Sequence, residues 1–468
     1  MPTLRSFFLL IFLVSIAAAA SPQIDWEQQK AEILRHYSSL VRIDTSNPPG
    51  NETAAVAYLQ KTFEAEGIPV KIFARQPLRP NLVARLKGNG TKRPLLLMAH
   101  TDVVPVSKDK WPVDPFGAIL KDGYIWGRGT RDDKDKLAAN LMVMLLAKHS
   151  GLVFDRDLIF LAESAEEADV SGVGIGYMVD QHFDEINAEF CLTETGGGTL
   201  EDGKVTVNTI QTTEKVPRRA RLIATGTSGH GSVPRIDNAV VHLSAAVAKA
   251  GAWETPMRLN DTTRTYFEKL ASISPPDKAA RYNALLNPRT AAAVQKYLAE
   301  NEPSRYSMLR TSVVPTMLKA GIGMNVIPSE AEAVLDIRML PDEDATRFFE
   351  EMKKVIADPA VRIEPISENL RPVGTPSRLD TEMYRALETV SRRMFPGVVV
   401  MPTMSTGATD MAQLRAKGIQ SYGIGPAVSD SDNTNYGAHS DVERMLESSL
   451  YQFVEFTWNV TMEVSAPK

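Results

Sequence analysis

A continuous apolar run at Leu95–Ala99, with no polar residue marking an outward face, limits most tightly how this chain can fold. A strand of that make-up suits a sheet covered on both sides, and such sheets are built with helical crossovers. Further strands are predicted at Leu82–Leu86, Leu158–Ala162 and Phe190–Thr193. Between them, Leu137, Leu141, Met144 and Leu145 share one helical face over Asp133–His149. That helix has acidic residues at its start and Gly151 at its end, where a turn residue without a Cβ is favoured. Helices also follow from Ile33, Tyr37, Leu40 and Val41, and from Val56, Leu59 and Phe63, on either side of a Pro48-Pro49-Gly50 break. Strands alternating with helices give an α/β fold, whose ligands gather at the carboxyl edge of the sheet.

The chain has 468 residues, more than one ordinary core holds, so two domains are expected. The pattern changes near Val216-Pro217. Ala331, Ala333, Leu335, Ile337 and Met339 alternate with mostly polar neighbours, the period-two mark of a strand with one covered face. Strand Arg221–Thr225, helix Asn238–Ala250, a helix turning Phe348, Phe349, Met352, Val355 and Ile356 inward, and a strand from Val361 complete a two-layer α/β insert. Residues 255–305 are more polar and read as helical without a clear place. The division is a leader over 1–20, a first domain over 21–215 and again over 370–468, and an inserted domain over 216–369.

Arg5, the apolar run Phe7–Val14 and the small residues Ala17–Ala20 before Ser21 form the three parts of a secretory signal peptide. Secretion or delivery to a periplasm is therefore expected, with no stable membrane insertion after cleavage. An uncleaved anchor is the other reading, for which the run is short. Cys191 is the sole cysteine, so no internal disulfide can form. Sequons stand at Asn51, Asn89, Asn260 and Asn459. The net charge of −5, with both signs interspersed, excludes the basic face that nucleic-acid binding needs.

Five residues lie at predicted strand ends or in Gly-rich turns and carry metal-binding side chains: His100, Asp132, Glu167, Glu194 and His439. In His100-Thr101-Asp102, residues two apart on an extended chain face one side, so Asp102 can orient the imidazole. A satisfied histidine at a strand end reads equally from the triplet alone. In Gly127-Arg128-Gly129-Thr130-Arg131-Asp132, the glycines allow a tight turn before a helix, and Asp132 is either a bridging ligand or an N-cap. Adjacent Glu166 and Glu167 repel unless a cation is near; one is then a ligand and the other a general base. An acidic solvated loop is the plain alternative. Jointly the five make a nitrogen and oxygen donor set without thiolate, suited to catalytic zinc, with cobalt or manganese as substitutes.

These motifs, in this order, resemble the co-catalytic di-zinc hydrolases, a family of metallopeptidases that includes aminoacylases, carboxypeptidase S, glutamate carboxypeptidases and succinyl-diaminopimelate desuccinylase. The resemblance covers nearly the whole chain after the leader. It implies a zinc-peptidase-like catalytic domain, a mixed sheet flanked by helices, with an inserted two-layer α/β lid that also serves dimerisation. It implies two Zn²⁺ per subunit, His100 and Glu194 on one, Glu167 and His439 on the other, and Asp132 between them. Asp102 would support His100, and Glu166 would be the general base towards a hydroxide shared by the metals. Ser228-Gly229-His230-Gly231-Ser232 resembles the family's oxyanion-stabilising segment, with His230 reaching an active site, often the partner's. Asn325 and Arg338 resemble its substrate-binding positions, and an arginine suits a carboxylate through two parallel hydrogen bonds. Gly407-Ala408-Thr409-Asp410 matches a further family pattern near the cleft. Ala165 and Asp135 depart from the usual residues, which weakens any transfer of substrate identity.

The expected activity is cleavage of the amide next to a C-terminal or N-acylated amino acid, on a small peptide or N-acyl amino acid, by a homodimer joined through the lid. An aminopeptidase or dipeptidase with the same metals is the second enzymatic reading. A secreted binding protein without catalysis is the third, opposed by the intact Glu166 and ligand set.

Overall fold

The computed structural model describes residues 24–167, 172–366 and 371–467. The expected leader, residues 1–20, lies outside them. Among the described residues no helix is long and apolar enough to cross a membrane.

Among the described residues the main sheet has nine strands. Its centre is parallel: Leu158–Glu163, Leu95–His100, Phe190–Thr193 and Gln420–Gly423 lie side by side in that order. The register is level, with Leu95 opposite both Leu158 and Phe190, and His100 opposite Glu163. Antiparallel strands Asn81–Leu86 and Val70–Phe73 extend one side. Lys204–Glu214, paired with Gly196–Glu201 and Val399–Ser405, extends the other. This is the mixed sheet that the sequence led us to expect.

Both faces are covered, as the unbroken Leu95–Ala99 run requires. Leu95, Leu97 and Ala99 point into a core with Leu137, Leu141, Met144 and Leu145 of the buried helix Lys134–Ser150. Leu96 and Met98 face a second core with Ile159, Leu161, Met178 and Cys191. Gly151 closes the helix in the left-handed conformation (φ 67°), where a Cβ would be strained.

The inserted domain is a four-stranded antiparallel sheet in the order Ser312–Ala320, Glu330–Met339, Val216–Thr225, Val361–Ile366. Ala331, Ala333, Leu335, Ile337 and Met339 are buried and their neighbours are not. Helices Ala239–Gly251 and Ala345–Ile356 cover that face, and Phe348, Met352 and Ile356 complete its core. Phe349 and Val355 are only half-buried.

The polar stretch left without a place forms four helices between Asp261 and Ser307. They build their own small core from Phe267, Tyr282, Leu285, Leu298 and Leu309. They lean on the edge of the main sheet, where Lys269 donates to the carbonyl of Val400 at 2.7 Å and Thr262 bonds Thr212 at 2.7 Å.

Candidate metal centre and active site

Level register brings three strand ends to one edge, and the predicted ligands follow from it. His100 is the last residue of its strand, Glu194 follows Thr193 directly, and Glu166-Glu167 follow the strand that ends at Glu163. Asp132 arrives from the Gly-rich turn. Gly129 has φ 81° there, and a Cβ on it would meet Val103 Cγ1 at 2.7 Å. The buried Glu443 carboxylate holds the turn: it accepts from the backbone N–H of Gly129 (3.1 Å) and Arg131 (2.7 Å) and from the Arg128 guanidinium (2.7 Å). Glu443 lies on the segment that carries His439, so one carboxylate fixes two of the five candidate ligands relative to each other.

His100 Nε2 lies 3.0 Å from Asp132 Oδ1, and His439 Nε2 lies 3.1 Å from Asp132 Oδ2. His439 Nε2 is also 3.1 Å from Glu167 Oε1. Ligand atoms of His100, Asp132 and Glu167 all fall within 4.8 Å of one another. Asp132 thus stands between two imidazoles and turns one oxygen to each. Glu194 shares with Asp132 the wall of a cavity of about 330 Å³, which Thr199, Thr209 and Val428 also line.

Asp102 plays a broader part than the triplet suggested. His100 Nδ1 donates to the backbone carbonyl of Asp102 at 3.0 Å, while the carboxylate is 3.5 Å away. The carboxylate accepts instead from Asn47 Nδ2 (2.6 Å) and from the N–H groups of Glu166 (3.2 Å) and Glu167 (3.1 Å). It staples the turn that presents both glutamates. Arg79 stands 3.8 Å behind it, paired at 2.8 Å with the buried Glu52.

Among the described residues, no hydrogen bond or ion pair joins Glu166 to the imidazoles. Its Oε1 accepts from Arg371 Nη2 at 3.0 Å, and Arg371 Nη1 reaches Asp410 Oδ1 at 3.0 Å. Burial, reinforced by the nearby Asp410 carboxylate, pushes the Glu166 carboxyl up to about 8. Burial beside Glu166 likewise raises Glu194 well above the carboxylate range. Asp132 goes the other way despite its burial, because both imidazoles donate to it. Hydrogen bonds to Asp132 and Glu167 hold His439 up at about 10, and those to Asp102 and Asp132 raise buried His100 well above its ordinary value.

So many carboxylates at one sheet edge need cations, and the donor set of two imidazoles and three carboxylates fits hard to borderline divalent ions. The lone thiol, Cys191, is buried inside a strand and contributes no donor. Their carboxylate partners favour the protonated form of both imidazoles, so a metal taken up by them competes with protons and affinity rises with pH. Calorimetric titration with Zn²⁺ in buffers of different ionisation enthalpy is expected to give different heats; identical heats would contradict the assignment of both imidazoles.

His230, Asn325 and Arg338 sit on the inserted domain, and among the described residues no hydrogen bond or ion pair joins them to the five. His230 pairs its short strand with Val326–Ile327, is exposed, and bonds Ser232 Oγ at 2.7 Å. Asn325 lies next to it, its carbonyl accepting from Gly231 N–H at 2.7 Å. Arg338 pairs with Asp336 at 3.1 Å on the polar face of its strand. Of the two departures, Ala165 adopts φ 68° and donates its N–H to Glu52, and Asp135 is buried against Lys136 at 3.2 Å. Glu443, Arg371, Asn47 and the Glu52–Arg79 pair were not singled out from sequence. No local motif marks them, since their meaning comes from contacts across the fold.

The sequence profile of Peptidase family M20/M25/M40 matches residues 96–462. The N-fatty-acyl-amino acid synthase/hydrolase PM20D1 of Homo sapiens is 31% identical over 328 residues, 68% of this chain and 64% of that protein. The match therefore spans just under two thirds of that relative. A probable carboxypeptidase S-like 2 of Dictyostelium discoideum is 28% identical over 81% of this chain and 73% of that protein. The crystal structure of the M20 family metallo-carboxypeptidase Sso-CP2 from Sulfolobus solfataricus superposes with a TM-score of 0.69 at 17% identity, covering 92% of this chain and 99% of that one, a likeness of fold.

Proposed function

This chain belongs to Peptidase family M20/M25/M40, and from that premise we propose that it is a metal-dependent hydrolase of the amide next to a C-terminal or N-acylated amino acid. The observation that supports this most is the Asp132 carboxylate between two imidazoles, with Glu167 beside them and Glu166 held apart. His100 and Glu194 would hold one cation and Glu167 and His439 the other, with Asp132 available to both; zinc suits the donors best, with cobalt or manganese as substitutes. Two such cations supply a polarised carbonyl and a water that ionises near neutral pH. Glu166 takes a proton from the attacking water and returns it to the leaving nitrogen as the C–N bond breaks; with the water's second proton also passed to the nitrogen, the products are a carboxylate and an ammonium. Burial beside Asp410 raises the Glu166 carboxyl, which favours its holding the proton between taking it and giving it.

His230 donates to the oxyanion, and Arg338 and Asn325 receive the substrate carboxylate. These three come from the inserted domain, so they act after it moves or from a second copy of the chain. A homodimer through that domain is favoured by the exposed Ile236, Met317, Leu318, Ile322 and Met324, which cluster around its edge strand Ser312–Ala320 and the short strands near His230. Sedimentation at micromolar concentration tests it, and a monomer would refute it. Export rests on residues 1–20, which lie outside the described structure; a mature N-terminus found at Met1 would exclude cleavage.

The deciding experiment for the reaction is a panel of N-acyl amino acids and dipeptides assayed with zinc, cobalt and manganese. Cleavage of N-acylated substrates, abolished by EDTA and restored by metal, is expected. Cleavage only of substrates with a free α-amine would instead favour a dipeptidase or aminopeptidase, a reading that M20 enzymes also admit.

A further inference from the structure

We propose that Arg371 is a positioning residue for the general base, holding the Glu166 carboxylate through one oxygen and tying it to the segment that carries the inserted domain. The inference rests on Glu166 being the base. Among the described residues, Arg371 reaches Glu166 Oε1 and Asp410 Oδ1, each at 3.0 Å. Its side chain is 12% exposed and those of Glu166 and Asp410 are 11% and 7% exposed, so water does little to loosen the arrangement. Among the described residues, Glu166 Oε2 takes no hydrogen bond and is left for the reacting water.

The far side of the clamp is anchored. Asp410 follows Thr409, whose N–H and hydroxyl donate to Glu214 at 3.0 and 2.6 Å, and Arg415 holds Glu214 at 3.1 Å. Glu214 ends the strand that leads into the inserted domain. Arg371 stands on the return segment from that domain, and its carbonyl accepts from Arg218 Nη1 of the domain's first strand at 3.1 Å. Both covalent connections of the inserted domain thus meet around the Arg371–Asp410 pair, and Arg371 carries that contact to the base. Lysine cannot replicate this arrangement, because bridging two carboxylates at fixed angles needs the planar fork of a guanidinium.

A carboxylate misplaced by about 1 Å can lose on the order of 100-fold in rate while leaving ground-state binding intact. With metal-loaded enzyme and a cleaved substrate, Arg371→Met is therefore expected to lower kcat about 100-fold, with KM within about threefold and metal content unchanged. Arg371→Lys should recover part of the loss, and Arg371→Met added to Glu166→Gln should cost nothing further. If Arg371→Met does not fold, Arg371→Lys alone decides, with kcat about tenfold down expected. A kcat within about threefold of the parent in the variant that decides, or a loss confined to KM, overturns the inference, the latter by making Arg371 a substrate ligand. Turnover retained in Glu166→Gln would instead overturn the base on which it rests.

Discussion

Glu166→Gln is expected to stop turnover, with kcat down about 10³–10⁴-fold and both metals retained, because the substitution removes a proton acceptor and no ligand. The amide is nearly the size of the carboxyl and keeps an oxygen for Arg371, now at 3.0 Å from Oε1. The backbone N–H groups of residues 166 and 167 still bond Asp102, so the turn that presents Glu167 stays in place. What is lost is the group that burial beside Asp410 tunes to about 8. A general base acts in the transition state and not in ground-state binding, so the loss should fall on kcat with KM nearly constant. Metal analysis of the same preparation completes the test. A kcat within tenfold of the parent would remove Glu166 from its role, and loss of metal would make it a ligand.

The parts of the fold legible in the sequence were those where burial leaves a periodic mark. Leu95–Ala99 had no polar face, and the structure sets it at the centre of a parallel sheet with cores on both sides. Residues 330–339 alternated, and the structure buries every second one. The gathering of candidate ligands from predicted strand ends was legible for the same reason: once strands are parallel and level, as His100 opposite Glu163 shows, their carboxyl ends share one edge. The helices between Asp261 and Ser307 had little apolar surface to read. Their seat against Val399–Ser405 depends on contacts such as Lys269 to Val400, which no local pattern encodes.

At the site, residue type betrayed the centre and hid its support. Histidines are few, and acids next to glycines at strand ends stand out. Arg371 precedes a proline at a domain junction and carries no local mark of a role, yet it is buried against Glu166 and Asp410. Glu443 reads as one more surface acid, yet it accepts from two N–H groups and a guanidinium across more than three hundred residues of chain. The period-two argument put Asp102 on the correct side of the strand, but spacing cannot tell a carbonyl at 3.0 Å from a carboxylate at 3.5 Å.

Asp132→Asn should be as inactive as Glu166→Gln for the opposite reason, since it empties the centre of metal. Among the described residues, Asp132 is the one side chain that meets both imidazoles, through Oδ1 to His100 at 3.0 Å and Oδ2 to His439 at 3.1 Å. An amide presents one oxygen and one donor, so it can serve at most one cation and turns an N–H towards the other. It also removes a full negative charge from between two sites that must each hold a dication. Loss of a group that merely orients a ligand typically costs 10–100-fold in metal affinity. Loss of a shared ligand should therefore cost more than about 100-fold at each site, and kcat should fall to background. The consequence reaches stability as well. Ligand at about 1,000 times its dissociation constant adds about 4 kcal/mol to the folded state. Zinc should therefore raise the melting temperature of the parent and of Glu166→Gln, and leave Asp132→Asn close to its value in EDTA. Two inactive variants, one metal-loaded and stabilised and the other neither, would separate the proton acceptor from the metal bridge. Tight uptake of two metal equivalents by Asp132→Asn would show that the two cations do not share this carboxylate.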